Sequence, residues 1–261
     1  MLNKMKHGDF TGLAQDYSDY RPDYSPAVLR AILSSAQVPV NEIDFVDVGA
    51  GTGIWTRMVS AAGVRSSVAV EPNDDMRHQG ENHTDNANIK WFKGAGEETG
   101  LPDSSADILS MASSFHWVDF DRGTQEFCRV LRPGGVFVAI WNPRYIESNP
   151  LLVEIEAHLQ TLKGETITRV SSGRSPFTEG LFDKLHGCGR FSDVLYVESR
   201  HTIPFSKERY LGAWRSVNDL RVQLGPEKFQ NFLSWVEDKI SDTDVIEAEY
   251  LTRAWIARKP V

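Results

Sequence analysis

The sequence predicts an α/β protein in which a doubly wound, mostly parallel sheet of seven strands carries a helical cap. Three observations lead to this fold class. A glycine-rich stretch after Val48 joins a short apolar run to a helical run. Strand-like and helix-like segments then alternate as far as Trp141, as expected of right-handed crossovers in a parallel sheet. Beyond Asn142, long helical excursions interrupt the alternation, and they predict the cap.

The stretch from Phe45 to Thr56 reads as a buried strand, a sharp turn and a helix start. Its first part is short, apolar and β-branched, which is typical of a strand covered on both faces. A helix predicted over Thr52 to Val59 directs its first N–H groups toward whatever binds at the turn. The residues that lack side chains where the backbone must approach a ligand are Gly49, Gly51 and Gly53.

An acid follows the second predicted strand. Glu71 ends the apolar run 67–70, eighteen residues after Gly53, and a carboxylate there can accept from both hydroxyls of a ribose. Two alternatives remain open at this point. The glycines could serve only a tight turn, or the turn could bind a dinucleotide. Ile54 disfavours the second alternative, because it stands where the dinucleotide fingerprint has a third small residue.

The remaining elements follow in order. Ser25 and Pro26 predict a helix start, and Arg132 to Gly135 a stop and turn. Later strands are expected at 89–92, 107–112, 136–141, 194–203 and 246–257, and helices at 74–80, 120–131, 149–163, 181–185 and 207–240. The first 25 residues show no strong periodicity, and their aromatic residues and Arg21 suggest a lid over the ligand. Residues 1–142, 179–204 and 242–261 are therefore assigned to the ligand-binding domain, and 143–178 and 205–241 to the cap.

Composition restricts the function. The 261 residues carry a formal charge of −8, which opposes binding to nucleic acid or to an anionic membrane. Cys128 and Cys188 have no metal-ligand spacing, so we expect packing thiols and no metal site. The sequence contains no apolar run of membrane-spanning length and no signal-peptide pattern, so a cytoplasmic location is expected.

The motif VDVGAGTG, together with Glu71, the segment 94–97 and the turn LRPGG at 131–135, resembles the class I S-adenosylmethionine (SAM) dependent methyltransferases, which have a Rossmann-like fold. The resemblance extends over nearly the whole chain. Tyr20-Arg21-Pro22, the motif FHWxD at 115–119 and Trp141-Asn142 resemble, more narrowly, the group around trans-aconitate methyltransferase. That group methylates small molecules, so the resemblance implies SAM as the cofactor and S-adenosylhomocysteine as its product.

The resemblance also implies roles for single residues. The turn would hold the methionine part of SAM, Glu71 its ribose, and the carbonyl of Ser113 its ammonium group. The family has an aspartate where this chain has Ala95, so the contact to the adenine amino group is expected from Glu97 or from a backbone carbonyl. The full expected cofactor set is Tyr20, Arg21, Gly49, Ala50, Gly51, Thr52, Gly53, Glu71, Asn73, Met76, Gly96, Glu97 and Ser113.

The acceptor side is less defined. His116 is the best candidate for a general base, and it could equally position the substrate or serve only the structure. An ionised carboxylate acceptor would need no base, because a sulfonium carries its own leaving group. Residues of the cap and of the strand ends are expected to line the acceptor pocket, and an arginine there could hold an anionic group. The expected acceptor-binding residues are His116, Trp117, Trp141, Arg144 and Trp214; Arg169, Arg174 and Arg215 are further cations of the cap.

The sequence therefore predicts a methyltransferase that acts on an oxygen, of a carboxylate or a hydroxyl, in a small metabolite. Natural-product biosynthesis is the expected context, and a monomer or a homodimer the expected state. Methylation of nitrogen or carbon, a nucleotide-dependent oxidoreductase and a non-catalytic subunit of the same fold are the alternatives. A nucleic-acid methyltransferase is disfavoured, because Ser113 to His116 stand where such enzymes have an Asn/Asp-Pro-Pro-Tyr/Phe tetrapeptide.

Overall fold

A computed structural model describes residues 14–84, 88–162, 167 and 176–261. Seven strands form one sheet in the order β3-β2-β1-β4-β5-β7-β6. Only β7 runs antiparallel to its neighbours β5 and β6. The strands are β1 (Asp44–Val48), β2 (Ser66–Val70), β3 (Ile89–Phe92), β4 (Ala106–Ala112), β5 (Leu131–Trp141), β6 (Val194–Phe205) and β7 (Ile246–Arg258). The predicted seven-stranded, mostly parallel sheet is confirmed.

Helices cover both faces of the sheet. Their bounds are α1 (Ala14–Tyr20), α2 (Pro26–Ser35), α3 (Ile54–Ala61), α4 (Asp74–Asn82), α5 (Phe120–Val130), α6 (Pro150–Thr161), α7 (Pro176–Glu179), α8 (Leu181–Gly187), α9 (Lys207–Arg215) and α10 (Asn218–Lys239). The start of α2 follows its sequence signal, because the Ser25 hydroxyl accepts from the Ala27 N–H and Pro26 opens the helix. Alternate residues of β1, β4, β5 and β7 reach opposite faces, so each of these strands contributes to both hydrophobic clusters beside the sheet.

Four details differ from the sequence expectation. Residues 14–20 form a helix that the residue pattern did not indicate. Helix α3 begins at Ile54 rather than at Thr52, because Gly53 adopts a left-handed φ of 78°. The LRPGG segment lies within the bounds of β5, with a shift of register against β4, instead of preceding the strand. The block 207–240 is two helices, and α10 is itself kinked at Gly225, where φ and ψ are not helical.

The assigned cap segments contribute α6, α9 and α10, and these helices share a hydrophobic cluster with the neighbouring ends of β6 and β7. This cluster is separate from the two that flank the sheet. The division into a ligand-binding domain and a cap stays a prediction. Arg169 and Arg174 lie outside the described residues, as do positions 1–13 of the expected lid.

A buried carboxylate lies within β1. Asp47 has no exposed surface, and it accepts hydrogen bonds from the hydroxyls of Thr56 at 2.6 Å and Ser110 at 2.9 Å. Ser110 in turn accepts from the indole nitrogen of Trp55 at 3.1 Å. Burial raises the pKa of Asp47 from 3.8 to about 7, although both hydroxyls oppose the rise. The folded protein therefore holds a proton on Asp47 at pH values where the unfolded chain does not.

This raised pKa gives a prediction about stability. Between about pH 4 and 7 the folded state binds more protons than the unfolded state, so Asp47 makes unfolding easier as the pH rises. We expect Asp47→Asn to remove this decrease of the unfolding free energy with pH, because an amide does not titrate and can still form hydrogen bonds with both hydroxyls. Denaturant unfolding at several pH values measures the effect. A difference between wild type and variant that is constant over this range would contradict the raised pKa.

Candidate cofactor and acceptor site

A cavity of about 280 Å³ opens at the carboxyl edge of the sheet. It lies between the neighbouring strands β1 and β4, where the strand order reverses: β2 and β3 follow on one side of β1, and β5 on the other side of β4. Open α/β sheets bind their ligands at this position. Eleven of the residues expected from the sequence line it: Arg21, Gly49, Ala50, Gly51, Glu71, Asn73, Met76, Gly96, Glu97, Ser113 and Trp117.

The glycine turn forms one wall of the cavity. Gly49 and Gly51 have φ values of 66° and 58°, a conformation that side chains with a Cβ rarely adopt. A Cβ on Gly49 would lie 2.7 Å from the Ser114 hydroxyl oxygen, so the adjoining strand ends leave it no room. A Cβ on Gly51 would meet only the end of the flexible Met76 side chain, at 3.4 Å. Gly51 therefore keeps the backbone open toward the cavity.

Glu71 fixes the geometry of this turn. One carboxylate oxygen accepts from the Gly51 N–H and the other from the Asn73 N–H, each at 2.8 Å. The residue is only 7% exposed, and burial raises its pKa even though both N–H groups favour the charged form. A carboxylate has about four acceptor positions, so two remain for a ligand after these two bonds. Glu71 thus joins the end of β2 to the turn and can still accept from a pair of hydroxyls.

The opposite wall follows β4. Ser113 has a φ of 55°, which is uncommon for a residue other than glycine, and its N–H donates to the Ile140 carbonyl at 2.7 Å. Its hydroxyl lies 3.1 Å from the Tyr24 hydroxyl, and the Tyr24 ring packs edge-on against Trp55. This chain of contacts joins the wall to the buried carboxylate Asp47 through Ser110.

Part of the expected lid closes one side. Arg21 lines the cavity, its Nε donates to the Ser216 hydroxyl at 2.8 Å, and its guanidinium lies 4.8 Å from the Tyr17 ring centroid. Tyr20 differs from the expectation, because it does not line the cavity. Its ring packs against Gly212 of α9, where any Cβ would lie 2.2 Å from the ring, and its hydroxyl donates to Glu208. Tyr20 joins α1 to the cap instead.

Two residues of the glycine motif also lie away from the cavity lining. Thr52 is fully buried, and its carbonyl accepts from the Arg57 guanidinium at 2.6 Å. Gly53 precedes α3, and a Cβ there would lie 2.8 Å from the Trp91 ring. Both are therefore placed where they serve the turn and its packing, outside the cavity lining, and a direct cofactor contact by either stays a prediction.

His116 lies in a short 3-10 helix, Phe115–Trp117, beside the cavity but outside its lining. Its ring centroid is 4.6 Å from that of Trp117 and 6.3 Å from that of Trp141. Both imidazole nitrogens and the Trp141 indole nitrogen are buried without a hydrogen-bond partner in the described part of the chain. Burial lowers the pKa of His116 to about 4, opposed by the charge of Asp219, so the ring is neutral near pH 7.

Arg144 and Trp214, two further expected acceptor residues, do not reach the cavity lining either. They contact each other: the Arg144 guanidinium lies 4.0 Å from the Trp214 ring centroid and 5.5 Å from that of Tyr210. Trp214 is 1% exposed, within the cluster of the cap helices. Arg215, another arginine expected in the cap, lies 3.6 Å from Asp16 of α1 and belongs to the contact between α1 and α9.

Several lining residues carry no motif. The first turn of α3, the residue after Glu71 and the end of β4 with the turn after it supply six of them, and the variable position of FHWxD supplies Val118. They are Ile54, Trp55, Pro72, Met111, Ala112, Ser114 and Val118. An explicit search of the first helical turn after the glycines would have found Ile54 and Trp55.

The described residues contain no cluster of three or more His, Cys, Asp or Glu side chains that could hold a metal ion. Within the same ranges, the helices include none that is both long and apolar enough to cross a membrane.

Comparisons with known proteins agree with this geometry. Residues 46–139 match the family of methyltransferase domains. An uncharacterized methyltransferase of Schizosaccharomyces pombe is 24% identical over 94% of both chains. A proposed type II methyltransferase from Anaeromyxobacter dehalogenans has a similar structure, with a TM-score of 0.66 at 21% identity over 93% of this chain and all of its own. The structure of phosphoethanolamine N-methyltransferase 2 of Haemonchus contortus with SAM is also similar. Its TM-score is 0.56 at 14% identity, over 97% of this chain and 58% of its own.

The strand order, the glycine turn held by Glu71 and the family match of residues 46–139 point to the same class of protein. Residues 46–139 match a methyltransferase domain, and the chain has the Rossmann-like fold of the SAM-dependent methyltransferases. The narrower resemblance to the trans-aconitate group stays a prediction.

Proposed function

We propose that this protein transfers the methyl group of SAM to an oxygen of a small metabolite, most simply a carboxylate oxygen. The observation that supports the proposal best is the Glu71 carboxylate, which holds the open glycine turn and has acceptor positions to spare at the cavity wall. A hydroxyl acceptor is the second candidate. Methylation of nitrogen or carbon and a non-catalytic role are the remaining alternatives.

The cavity has features that the nucleoside part of SAM requires. Its volume of about 280 Å³ is near the lower end of the ~300–1,000 Å³ usual for small-molecule sites. One wall is backbone without side chains at Gly49 and Gly51, and a single buried acid lies where a ribose needs acceptors. SAM supplies an electrophilic methyl group on a sulfonium that is its own leaving group.

The lining residues would divide the cofactor between them. Glu71 accepts from the ribose hydroxyls, and Asn73 and Met76 flank the ribose and adenine. Arg21 pairs with the methionine carboxylate, because it is the guanidinium of the cavity lining and Ser216 already orients it. The Ser113 carbonyl accepts from the ammonium group. Glu97 is available to the adenine amino group, although one of its oxygens accepts from the Asp119 N–H.

His116 bears on the choice between acceptors. With a pKa near 4 the imidazole holds a proton weakly, so it would remove a proton from a phenol or an ammonium ion poorly. A neutral imidazole still donates one hydrogen bond and accepts another, and the Trp141 indole donates one. These buried groups suit an acceptor oxygen that is already ionised and needs only to be oriented beside the methyl carbon. His116 is therefore assigned to positioning.

This assignment predicts the behaviour of His116 variants. We expect His116→Phe to lower kcat/KM about 10–100-fold, because one or two hydrogen bonds to the acceptor are lost. His116→Asn or His116→Gln should recover much of the loss, since an amide can take the place of one ring nitrogen. Transfer of labelled methyl from SAM to a panel of carboxylic acids and phenols measures both effects. Equal loss in all three variants, with phenols as the preferred acceptors, would instead assign His116 as the base.

A role in natural-product biosynthesis, a cytoplasmic location and a monomeric or homodimeric state are further parts of the proposal. The net charge of −8 disfavours a nucleic-acid substrate, because a negatively charged protein repels polyanions. A small metabolite, neutral or anionic, would instead be bound within the cavity. Gel filtration of the purified protein tests the oligomeric state.

A further inference from the structure

Arg144 lies in an unusual environment for a charged side chain. It follows the carboxyl end of β5 and contacts three aromatic residues on two elements, α9 and β7. Its guanidinium stacks 4.0 Å from the Trp214 ring centroid and 5.5 Å from that of Tyr210, and its Nε donates to the Tyr250 hydroxyl at 3.3 Å. The residue is only partly exposed. Aromatic faces therefore hold the planar cation in one orientation.

The charge of Arg144 has no carboxylate partner among the described residues. Glu156 of α6 contributes a favourable charge but forms no ion pair with it. Two other partly buried arginines do have carboxylate partners: Arg132 pairs with Asp44 and Asp107, and Arg129 with Glu126. A cation withdrawn from water is costly without an anion, and one long hydrogen bond leaves most of its five N–H donors unused.

The surroundings of Arg144 connect it to the acceptor side of the cavity. Trp141, three residues earlier, ends β5 beside His116 and has an unpartnered indole nitrogen. Trp214 lies two residues before Ser216, which binds the cavity residue Arg21. The α9–α10 junction and the end of β5 thus connect the surroundings of His116, beside the cofactor cavity, to those of Arg144.

We propose that Arg144 is a second anion subsite, which receives a carboxylate or phosphate group of the acceptor remote from the oxygen that is methylated. The acceptor class is then a small molecule with two anionic groups. His116 and Trp141 orient the reacting carboxylate, and the Arg144 fork binds the other. This subsite rests on the proposed function, because it refines the acceptor of the same reaction.

Matched acids test the subsite. The protein saturated with S-adenosylhomocysteine is titrated calorimetrically with glutarate and pentanoate, and with adipate and hexanoate, so that each pair differs by one carboxylate. We expect the diacid of at least one pair to bind about tenfold or more tightly than its monoacid. Arg144→Gln should remove that difference, and Arg144→Lys should keep part of it. Neither variant should alter the affinity for S-adenosylhomocysteine.

A matched control removes a stacked guanidinium elsewhere. Arg200 lies 3.8 Å from the Tyr145 ring centroid on the exposed side of β6, and Arg200→Gln should leave the preference intact. Equal binding of diacids and monoacids, or a preference that survives in Arg144→Gln, would overturn the subsite. Failure of every acid to bind would also overturn it, together with the carboxylate acceptor. Failure of S-adenosylhomocysteine itself to bind would overturn the proposed function.

Discussion

Gly51→Arg is expected to abolish the binding of S-adenosylhomocysteine, with a loss of affinity of more than about 100-fold. The Gly51 N–H donates to Glu71, and its φ of 58° favours glycine. The open space beside its Cα is the cavity itself, where only the Met76 side chain is near. A long cationic side chain there fills the cofactor volume and also strains the turn. Isothermal titration calorimetry measures the loss.

Backbone strain alone could unfold such a variant, so a control with the same strain is needed. Gly100 has a φ of 73°, lies outside the cavity lining and has no atom within 4 Å of a Cβ. Gly100→Arg should therefore bind S-adenosylhomocysteine as the wild type does, at a similar cost in thermal stability. Unchanged affinity in Gly51→Arg would show that the ligand does not bind against the turn.

Glu71→Gln should weaken the same binding by about 30-fold or more. The amide has one acceptor oxygen, so either the Gly51 or the Asn73 N–H faces an NH₂ group, and the ribose loses a charged acceptor. An unsatisfied buried donor costs about 1–3 kcal/mol and a hydrogen bond to a charged group contributes about 1.5–3 kcal/mol. The 2′-deoxy analogue of S-adenosylhomocysteine separates these two effects. Loss of the 2′-hydroxyl should weaken binding to the wild type, but it should change binding to the variant little, because the variant has already lost the ribose contact.

Glu126→Gln is the matched control for this substitution. Glu126 also accepts from a backbone N–H, that of Thr99 at 2.8 Å, and it lies outside the cavity lining. Its replacement should affect stability and leave ligand affinity unchanged. If Glu71→Gln still discriminated the 2′-deoxy analogue as strongly as the wild type, Glu71 would only hold the turn.

Residues next to strand ends were predictable from the sequence for a physical reason. Gly49, Gly51 and Glu71 follow short buried strands, and parallel strands bring their carboxyl ends to one edge. Local spacing therefore determines where these residues lie. Sequence spacing also predicted the seven strands, because β-branched and apolar runs bounded by turns have few other readings.

Residues whose position depends on packing between distant elements were not predictable in this way. Tyr20 packs on Gly212, which is far away in the sequence, and Arg144 faces Trp214 of the cap. Such contacts depend on how the cap helices pack over the sheet, which no local pattern encodes. Thr52 shows a different limit: in a glycine motif the backbone contacts the ligand, so the side chain between two glycines is free to turn into the core.

A crystal structure with S-adenosylhomocysteine bound tests the central claim most directly. We expect the nucleoside against the turn at Gly49 to Gly51, with both ribose hydroxyls within hydrogen-bond distance of the Glu71 carboxylate and the sulfur directed toward His116. A nucleoside bound elsewhere, or a Glu71 carboxylate turned away from the ribose, would contradict the account.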